Sequence, residues 1–583
     1  MTYCAPLRDY RFMLEQIVGL PALRTTERFA DVDAQTVSTI LTEAARLCEE
    51  VLAPLRRVSD QAPARLENGL VRTPPGFADA YGQIAQGGWI GTLADPTHGG
   101  MGLPLVVTTV INEMMASACL ALQLNPVLTQ GQIEALECHA SKVIKALYLP
   151  RLITGEWSGT MNLTEPQAGS DVGALRTKAS PNGDGTYAIS GQKIYISWAD
   201  NDFTANVCHL VLARLPGAKP GTAGISMFLV PKYLPDAQGN PGVANTLRVV
   251  SLEHKMGLHG SPTAVMHYDG AVGWLIGDAH AGMKCMFTMM NSARLGVGTQ
   301  GVAAAEGAYQ HALAYARQRR QGSAERGRFT PTQRSGTILD HADVRRMLIT
   351  MKAETFAARA IVLACAQAID MSKAKGGQDW KARAAFLTPI AKAFGTDTGM
   401  AVSDMGLQVH GGMGYIEETG AAQFYRDVRV TAIYEGTNGI QAMDLVGRKL
   451  ADGGATAFAL IEEIAQNARQ AQARHPSLAE PVLRAAQNLR AATAWMLAQG
   501  DMGDRCAGAV PFLAGFARVL GGHYHLRAAC AQPQDNSTQD SSTQAKLARF
   551  YIARLLPQHQ SLLAQARCGA DDLYALADSE LGA

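Results

Sequence analysis

The chain has 583 residues, which is too long for one compact core and predicts several domains. A hydrophobic fraction of 47% and a charged fraction of 18% are typical of large globular enzymes and exclude a disordered, collagen-like or coiled-coil chain. The 52 basic and 51 acidic residues give a net charge of +1, so no overall field attracts nucleic acid or anionic lipid. No nucleic-acid partner is therefore expected.

The sequence also argues against export and membrane insertion. Charged residues interrupt Met1–Leu20, which therefore lacks the apolar core of a signal peptide. The window Met114–Ile133 carries no charge, but its Gln, Asn and Pro residues make it too polar for a membrane span. Ten cysteines are scattered without a C-x-x-C pair, which indicates a reducing compartment. We expect a cytoplasmic protein without a metal site.

Helical periodicity dominates the first part of the chain. Apolar residues recur at three- and four-residue steps from Val37 to Val51, with Asp33 as a cap and Pro54 as a stop. The same spacing predicts helices over Val106–Leu122 and Gln132–Ile153, after a glycine-rich loop at His98–Pro104. We therefore predict an N-terminal extension over 1–34 and a helical domain over 35–157.

The pattern changes to short runs of β-branched and aromatic residues between 158 and 280. Asn-Gly and Pro-Gly turn signals separate these runs. The predicted strands are Tyr187–Ile196, Val207–Leu215 and Ile225–Val230. Short strands at this spacing predict a central β-barrel or sheet domain.

Helices return after residue 281. The predicted segments are Met286–Arg319, Asp340–Ser372 and Trp380–Val409, in a C-terminal helical bundle over 281–452. An alanine-rich tail over 453–583 predicts an additional helical domain, interrupted by a polar loop at Gln532–Gln544. After residue 450 the tail has 11 basic and 12 acidic residues, a charge of 11 − 12 = −1, so it offers no basic surface for DNA. The fold class is α+β, with helical domains on both sides of the β domain.

Six motifs occur in an order that resembles the acyl-CoA dehydrogenase flavoproteins. The first is Met161-Asn-Leu-Thr-Glu-Pro-Gln-Ala-Gly-Ser-Asp171, at the entrance to the β domain. The others are Gly99-Gly-Met-Gly-Leu-Pro104, Gly191-Gln-Lys-Ile-Tyr-Ile-Ser197, Lys255-Met-Gly-Leu-His-Gly-Ser-Pro262, Gln408-Val-His-Gly-Gly-Met-Gly-Tyr415 and Arg426-Asp-Val-Arg-Val-Thr-Ala-Ile-Tyr-Glu-Gly-Thr-Asn438. The added tail and the opening Tyr3–Asp9 are similar to a larger subgroup that includes the 3-methylthiopropanoyl-CoA dehydrogenases. The resemblance implies an acyl-CoA dehydrogenase-like fold.

The resemblance also implies a reaction. It is FAD-dependent α,β-dehydrogenation of an acyl-CoA thioester to the trans-2-enoyl-CoA, with electrons passed to an electron-transfer flavoprotein. The general base is Glu435, which matches the family's catalytic glutamate between Tyr434 and Gly436. Some relatives carry the base immediately before the arginine that matches Arg294, but here that residue is Ala293, which cannot accept a proton. Since free glutamate has a pKa near 4.3, burial must raise the pKa of Glu435 for this role.

The resemblance assigns the remaining site residues. The expected FAD-binding residues are Met161, Leu163, Thr164, Ser170, Tyr195, Ile196, Ser197, Arg319, Gln408, Gly411, Gly412, Thr437 and Asn438. The expected substrate-binding residues are Ser170, Asn291, Arg294 and Gly436. In the family, the segment that matches Gln408, Gly411 and Gly412 enters the neighbouring subunit's FAD site, so a homo-oligomer, in the simplest case a dimer, is expected.

Two alternatives remain open at the level of sequence. One is an acyl-CoA oxidase, which differs in whether oxygen reaches the reduced flavin. The other is a catalytically weak flavoprotein of the same fold that binds DNA or a protein partner. The retained Glu435 and the nearly neutral tail argue against the second alternative, whereas the choice between dehydrogenase and oxidase stays open.

Overall fold

A computed structural model describes residues 3–322, 336–531 and 538–582. The first part of the chain is helical, as predicted. Its helices are α1 (Leu7–Phe12), α2 (Leu20–Arg24), α3 (Ala34–Leu47), α4 (Leu55–Gln61), α5 (Phe77–Gln86), α6 (Leu105–His139) and α7 (Lys142–Ile153). The cap is confirmed, because the Asp33 carboxylate accepts a hydrogen bond from the Thr36 backbone N–H at 2.7 Å. A hairpin that the periodicity did not predict, β1 (Arg65–Glu67) and β2 (Leu70–Arg72), turns at Asn68 and Gly69, both with positive φ.

Helix α6 corrects the sequence-based boundaries. The two helices predicted over Val106–Leu122 and Gln132–Ile153 are divided at Ala140 and Ser141 instead, because α6 continues to His139 with a kink at Cys119. By length and composition α6 is the one described helix that could cross a membrane. Its apolar window is 94% buried inside the protein, as in the core helix of a globular fold.

The central region closes into a small barrel. Its strands are β3 (Trp157–Asn162), β4 (Lys178–Pro181), β5 (Tyr187–Ser197), β6 (Asn206–Arg214), β7 (Ile225–Pro231), β8 (Tyr233–Pro235), β9 (Pro241–Ala244), β10 (Leu247–Leu252) and β11 (Thr263–Ile276). The three predicted strands are confirmed within one residue as β5, β6 and β7. Pairing runs from β11 to β5, β4, β6, β7 and back to β11, while β3 flanks β6 and β10 flanks β11.

The two faces of the barrel strands serve different cores. On β6, Val211 and Ala213 belong to the cluster inside the barrel, whereas Leu210 and Leu212 belong to the main helical core. This alternation follows from the two-residue repeat of a strand. It fixes the barrel against the helices.

The C-terminal bundle contains α8 (Gly282–Gln318), α9 (Ala342–Ala374), α10 (Gln378–His410), α11 (Ala421–Val428) and α12 (Asn438–Asp444). The three long helices confirm the predicted segments. Helices α8 and α10 approach each other closely at glycines: a Cβ on Gly298 would lie 2.6 Å from the Ala391 carbonyl oxygen, and one on Gly301 would lie 2.2 Å from that of Gly395. Larger residues would force these helices apart.

The tail adds α13 (Ala455–Ala471), α14 (Pro476–Ala498), α15 (Met502–Ala507), α16 (Ala509–Cys530), α17 (Thr538–Arg554), α18 (Gln558–Gln565) and α19 (Asp578–Leu581). The predicted loop at Gln532–Gln544 is wrong from Thr538 onward, where α17 begins, and residues 532–537 lie outside the described residues. Helix α16 packs on the bundle, with the Phe516 ring 5.1 Å from that of Phe386. Tail and bundle therefore share one core.

Candidate active site

Glu435 lies in a strained loop immediately before α12. Its φ is +56°, a left-handed conformation that non-glycine residues rarely adopt, and Gly436 follows with φ +84°. Thr437 caps α12 by accepting a hydrogen bond from the Ile440 backbone N–H at 3.3 Å. The loop thus turns sharply and places Glu435 at a fixed point.

Neighbouring side chains hold this loop in place. The Tyr434 hydroxyl donates to the side-chain oxygen of Gln300 on α8. The buried Gln441 amide donates to the carbonyl oxygens of Glu435 at 3.3 Å and Gly436 at 3.1 Å. Because these contacts over-determine the backbone, the strained conformation can persist.

The surroundings of Glu435 suit a general base. Burial raises its pKa to about 7, against the opposing effect of the Arg294 guanidinium and the Lys392 ammonium. Since acid–base efficiency is greatest when the pKa lies near the working pH, this carboxyl group is suited to accept a weakly acidic proton at neutral pH. The required rise in pKa is thus present in the structure.

Lys392 on α10 was missed by the sequence analysis. It is fully buried, and its ammonium group donates to the Asn438 side-chain oxygen at 2.9 Å, while the Asn438 amide donates to Asp397 at 2.7 Å. Burial lowers the pKa of Lys392 to about 8. A lone lysine inside the apolar run from Phe386 to Phe394 was the available signal. The Asn438 side chain is therefore engaged within the protein.

Arg294 lies on the other side of the loop. One terminal nitrogen is 3.7 Å from the point where a Cβ on Gly436 would stand, and the other is 3.9 Å from Asp444. Arg294 is buried, whereas Asn291, one turn earlier on α8, is exposed. The structure therefore brings Arg294, Gly436 and Glu435 together and leaves Asn291 at the surface.

The two motif segments that are expected to hold the flavin ring, Met161–Asp171 and Gly191–Ser197, lie next to each other. The Ile194 backbone N–H donates to the Thr164 carbonyl oxygen at 2.9 Å, joining the segment after β3 to β5. Tyr195 has φ +59° at a register shift between β5 and β11, and its side chain is 62% exposed. Ile196 points into the barrel core, so only its backbone is available to a ligand. Ser170 is exposed and lies in the loop between β3 and β4.

A buried ion pair supports this edge, and the sequence analysis did not single it out. The Lys193 ammonium lies 2.8 Å from Glu165 and also donates to the Leu163 carbonyl oxygen at 2.9 Å. Burial alone would raise the pKa of Glu165, but Lys193 and donors at Thr177 and Arg176 bring it to about 2. The sequence did offer a signal for this ion pair, because an acidic residue and a basic residue stand in the two motifs at 161–171 and 191–197.

The remaining predicted cofactor residues lie at the far end of the bundle. Arg319 follows Gln318, the last residue of α8, which lies about 36 Å along the helix axis from Arg294 at a rise of 1.5 Å per residue. The His410 ring stacks on Tyr315 at 4.4 Å, which brings Gln408, Gly411 and Gly412 to the same end. These residues are therefore separated from Glu435 within one chain.

The arrangement fits a flavin nucleotide. The edge at Thr164 and Tyr195 offers a half-buried hydroxyl side chain and an exposed aromatic side chain for a flat ring. The exposed Arg319 offers a cation for a pyrophosphate, and the α-carbons of Gly411 and Gly412 have open space around them. Both parts of such a ligand find partners, the ring at an edge of the β domain and the pyrophosphate at the far end of the bundle.

Comparisons with known proteins identify the family. The chain matches the N-terminal domain (35–156), middle domain (160–271) and C-terminal domain (280–451) of acyl-CoA dehydrogenase, and an acetyl-CoA dehydrogenase C-terminal like domain (458–577). It is 46% identical over 524 residues to 3-methylmercaptopropionyl-CoA dehydrogenase of Ruegeria pomeroyi, covering 88% of both chains.

Two solved structures share the fold. ACDH-11 of Caenorhabditis elegans in complex with C11-CoA has a TM-score of 0.77 at 19% identity, covering 95% of this chain and 92% of that one. An acyl-CoA dehydrogenase of Bacillus anthracis complexed with FAD has a TM-score of 0.75 at 19% identity, covering 95% and 90%. The chain therefore belongs to the acyl-CoA dehydrogenase family, in the larger subgroup that includes 3-methylmercaptopropionyl-CoA dehydrogenase.

Proposed function

We propose that this protein converts an acyl-CoA thioester to the trans-2-enoyl-CoA with FAD as cofactor and Glu435 as the base. The observation that carries the proposal is Glu435 itself: a carboxyl group with a pKa of about 7, in a strained loop between Arg294 and Lys392. A protein that only binds its ligand does not require a strained backbone together with a carboxyl group of raised pKa, since both features are typical of catalytic sites.

The protein's own groups perform the proton chemistry. The Glu435 carboxylate removes the proton from the carbon beside the thioester carbonyl, and the backbone N–H of Glu435 donates to the carbonyl oxygen as negative charge develops there. Gly436 allows the thioester to approach the backbone closely. Bound FAD would supply the acceptor for the hydride that leaves the β-carbon.

The cofactor would be held by two copies of the chain. In one copy, the ring would contact Met161, Leu163, Thr164 and the backbone of Tyr195–Ser197. The pyrophosphate would contact Arg319 and the segment 408–412, both from the second copy. The long separation of Arg319 from Arg294 along α8 supports this division. The enzyme is therefore a homodimer with shared sites, which passes its electrons to an electron-transfer flavoprotein. The ten free cysteines support a reducing, cytoplasmic location.

The 46% identical relative suggests a substrate class. Its name specifies a propionyl-CoA with a methylthio group on the third carbon, so a short acyl chain with a thioether is the first substrate to test. Butanoyl-CoA and octanoyl-CoA complete a panel that separates length from the presence of sulphur.

The test uses the FAD-loaded enzyme without oxygen. Loss of flavin absorbance after adding each acyl-CoA reports the reaction, and Glu435→Gln should slow it by at least about a thousandfold, since general-base catalysis contributes factors of this order. Glu480→Gln on the exposed face of α14 is the matched control and should leave the rate unchanged. Bleaching of Glu435→Gln at the normal rate would refute the role of Glu435. Reoxidation by air, in place of electron-transfer flavoprotein, would identify an oxidase.

A further inference from the structure

Arg294 occupies a position between the base loop and a second carboxylate. One of its terminal nitrogens stands beside Gly436, and the other is 3.9 Å from Asp444, the last residue of α12. Its Nε has no partner among the described residues. The two terminal nitrogens of Arg294 therefore lie near the two ends of the short helix that follows Glu435.

Asp444 is almost completely buried and faces three cations. Besides Arg294, its carboxylate lies 2.5 Å from the Arg448 Nε and 3.9 Å from the Lys449 ammonium. A buried carboxylate is costly unless it is paired, so this arrangement has a reason to exist beyond packing. None of the six family motifs includes Asp444.

We propose that Asp444 is a positioning residue for the base: it holds Arg294 under the Glu435–Gly436 turn and balances its charge, so that Arg294 fixes the turn while Glu435 stays basic. The inference rests on the proposed function of Glu435. Without Asp444, the full charge of Arg294 would act on Glu435 and stabilise its carboxylate, which would weaken the base. A guanidinium next to a general base is compatible with catalysis only if another anion shares it.

Other charges around the turn must be included. The charged groups around it from the packed elements are Arg294 of α8, Lys392 and Asp397 of α10, Asp444 of α12, and Arg448 and Lys449 of the π-helical segment Leu445–Lys449 after α12. On the α10 side, Asn438 bridges Lys392 and Asp397, so this cation has its own anion nearby. On the α8 side, Asp444 is the anion that lies near the Arg294 guanidinium. The two cations beside the base are therefore each balanced by an aspartate.

The test is the pH profile of flavin reduction by a reactive acyl-CoA in the FAD-loaded enzyme. Asp444→Asn, which keeps the shape and removes the charge, should move the acid limb about 1 pH unit lower and reduce the plateau rate about three- to tenfold. Asp444→Glu should restore most of both. Asp343→Asn, on the exposed start of α9, is the matched control with an unchanged profile.

A second readout does not depend on catalysis. Melting temperatures are measured from pH 5 to 9 for Asp444→Asn and for the double variant that also carries Glu435→Gln. The pH dependence of their difference reports the pKa of Glu435, which should be lower than in the wild type by the same amount as the acid limb. If Asp444→Asn does not fold, the exposed Arg448 is replaced instead. Arg448→Gln removes one cation from Asp444, which raises the pKa of Glu435, so the acid limb of this variant should move upward by a few tenths of a pH unit. An unchanged profile in whichever variant folds overturns the proposal. A wild-type enzyme that no acyl-CoA reduces would instead refute the proposed function.

Discussion

Lys392 and Asn438 join helix α10 to the helix that starts beside the base, through a hydrogen bond of 2.9 Å between the ammonium group and the side-chain oxygen. Asn438 also donates to Asp397 at 2.7 Å, so one amide links a buried cation to its anion. The contact connects residues 46 positions apart in the chain. It fixes the start of α12, and with it the loop that carries Glu435.

Replacing Asn438 by Leu should therefore destabilise the protein. The substitution leaves the Lys392 ammonium buried without this acceptor, which costs about 1 to 3 kcal/mol. Urea unfolding followed by circular dichroism measures the loss. Asn182→Ala, in an exposed hairpin where the side-chain amide donates to the Thr186 hydroxyl, is the control and should change stability by less than about 0.5 kcal/mol. Equal effects of the two substitutions would contradict a structural role for this link.

The raised pKa of Glu435 predicts a pH-dependent stability difference. Because the folded protein binds this proton up to about pH 7, whereas free glutamate has a pKa near 4.3, the wild type loses stability relative to Glu435→Gln as the pH rises through this window. Glu435 is half-buried, so solvent screening limits the difference in the free energy of unfolding to about 1 to 2 kcal/mol. Melting temperatures of both proteins from pH 4 to 8 test this. A constant difference across the range would mean that Glu435 titrates as in water.

The buried pair Glu165–Lys193 predicts strong coupling between two substitutions. Lys193→Met leaves the Glu165 carboxylate buried without its cation and should cost about 3 to 5 kcal/mol. The double variant with Glu165→Leu removes both charges and should be more stable than Lys193→Met alone. A double-mutant cycle in urea measures the interaction. Arg484→Met, from the exposed Arg484–Glu480 pair on α14, should have little effect, and additive results for the buried pair would contradict the coupling.

The separation of Arg319 from Glu435 predicts complementation between subunits. Homodimers of Arg319→Ala should lose FAD on desalting, and those of Glu435→Gln should be inactive. In a mixed dimer, one site receives both intact residues and the other receives neither, so about half of the wild-type activity should return. Differently tagged chains allow purification of the mixed dimer. A mixed dimer as inactive as its parents would show that each site is built from one chain.

The sequence by itself determined the order and nature of most elements. The long helices α8, α9 and α10 and the strands β5, β6 and β7 follow from periodicities that each segment carries internally. Glu435 was predicted as the base from the Tyr434-Glu-Gly-Thr437 segment and the family resemblance. The helix cap at Asp33 was also predicted correctly, because a cap depends on residues three positions apart.

Local sequence patterns did not predict the full extent of α6 or the closure of the barrel, because both depend on contacts with distant parts of the chain. Helix α6 crosses Gln123–Gly131 without interruption because this stretch is buried among other elements, so its polar residues did not end the helix. Likewise the closure of the barrel between β7 and β11 joins strands about 45 residues apart, a pairing that no turn signal encodes.

Only the tertiary structure decided what surrounds the base. Lys392, Arg294 and Gln441 reach the Glu435 loop from α10, α8 and α12, and none of them stands next to Glu435 in the sequence motif. A pKa depends on burial and on charges within a few ångströms, whatever their separation along the chain. The identity of the carboxylate was therefore written in the sequence, whereas its affinity for a proton was set by the packing of three helices around it.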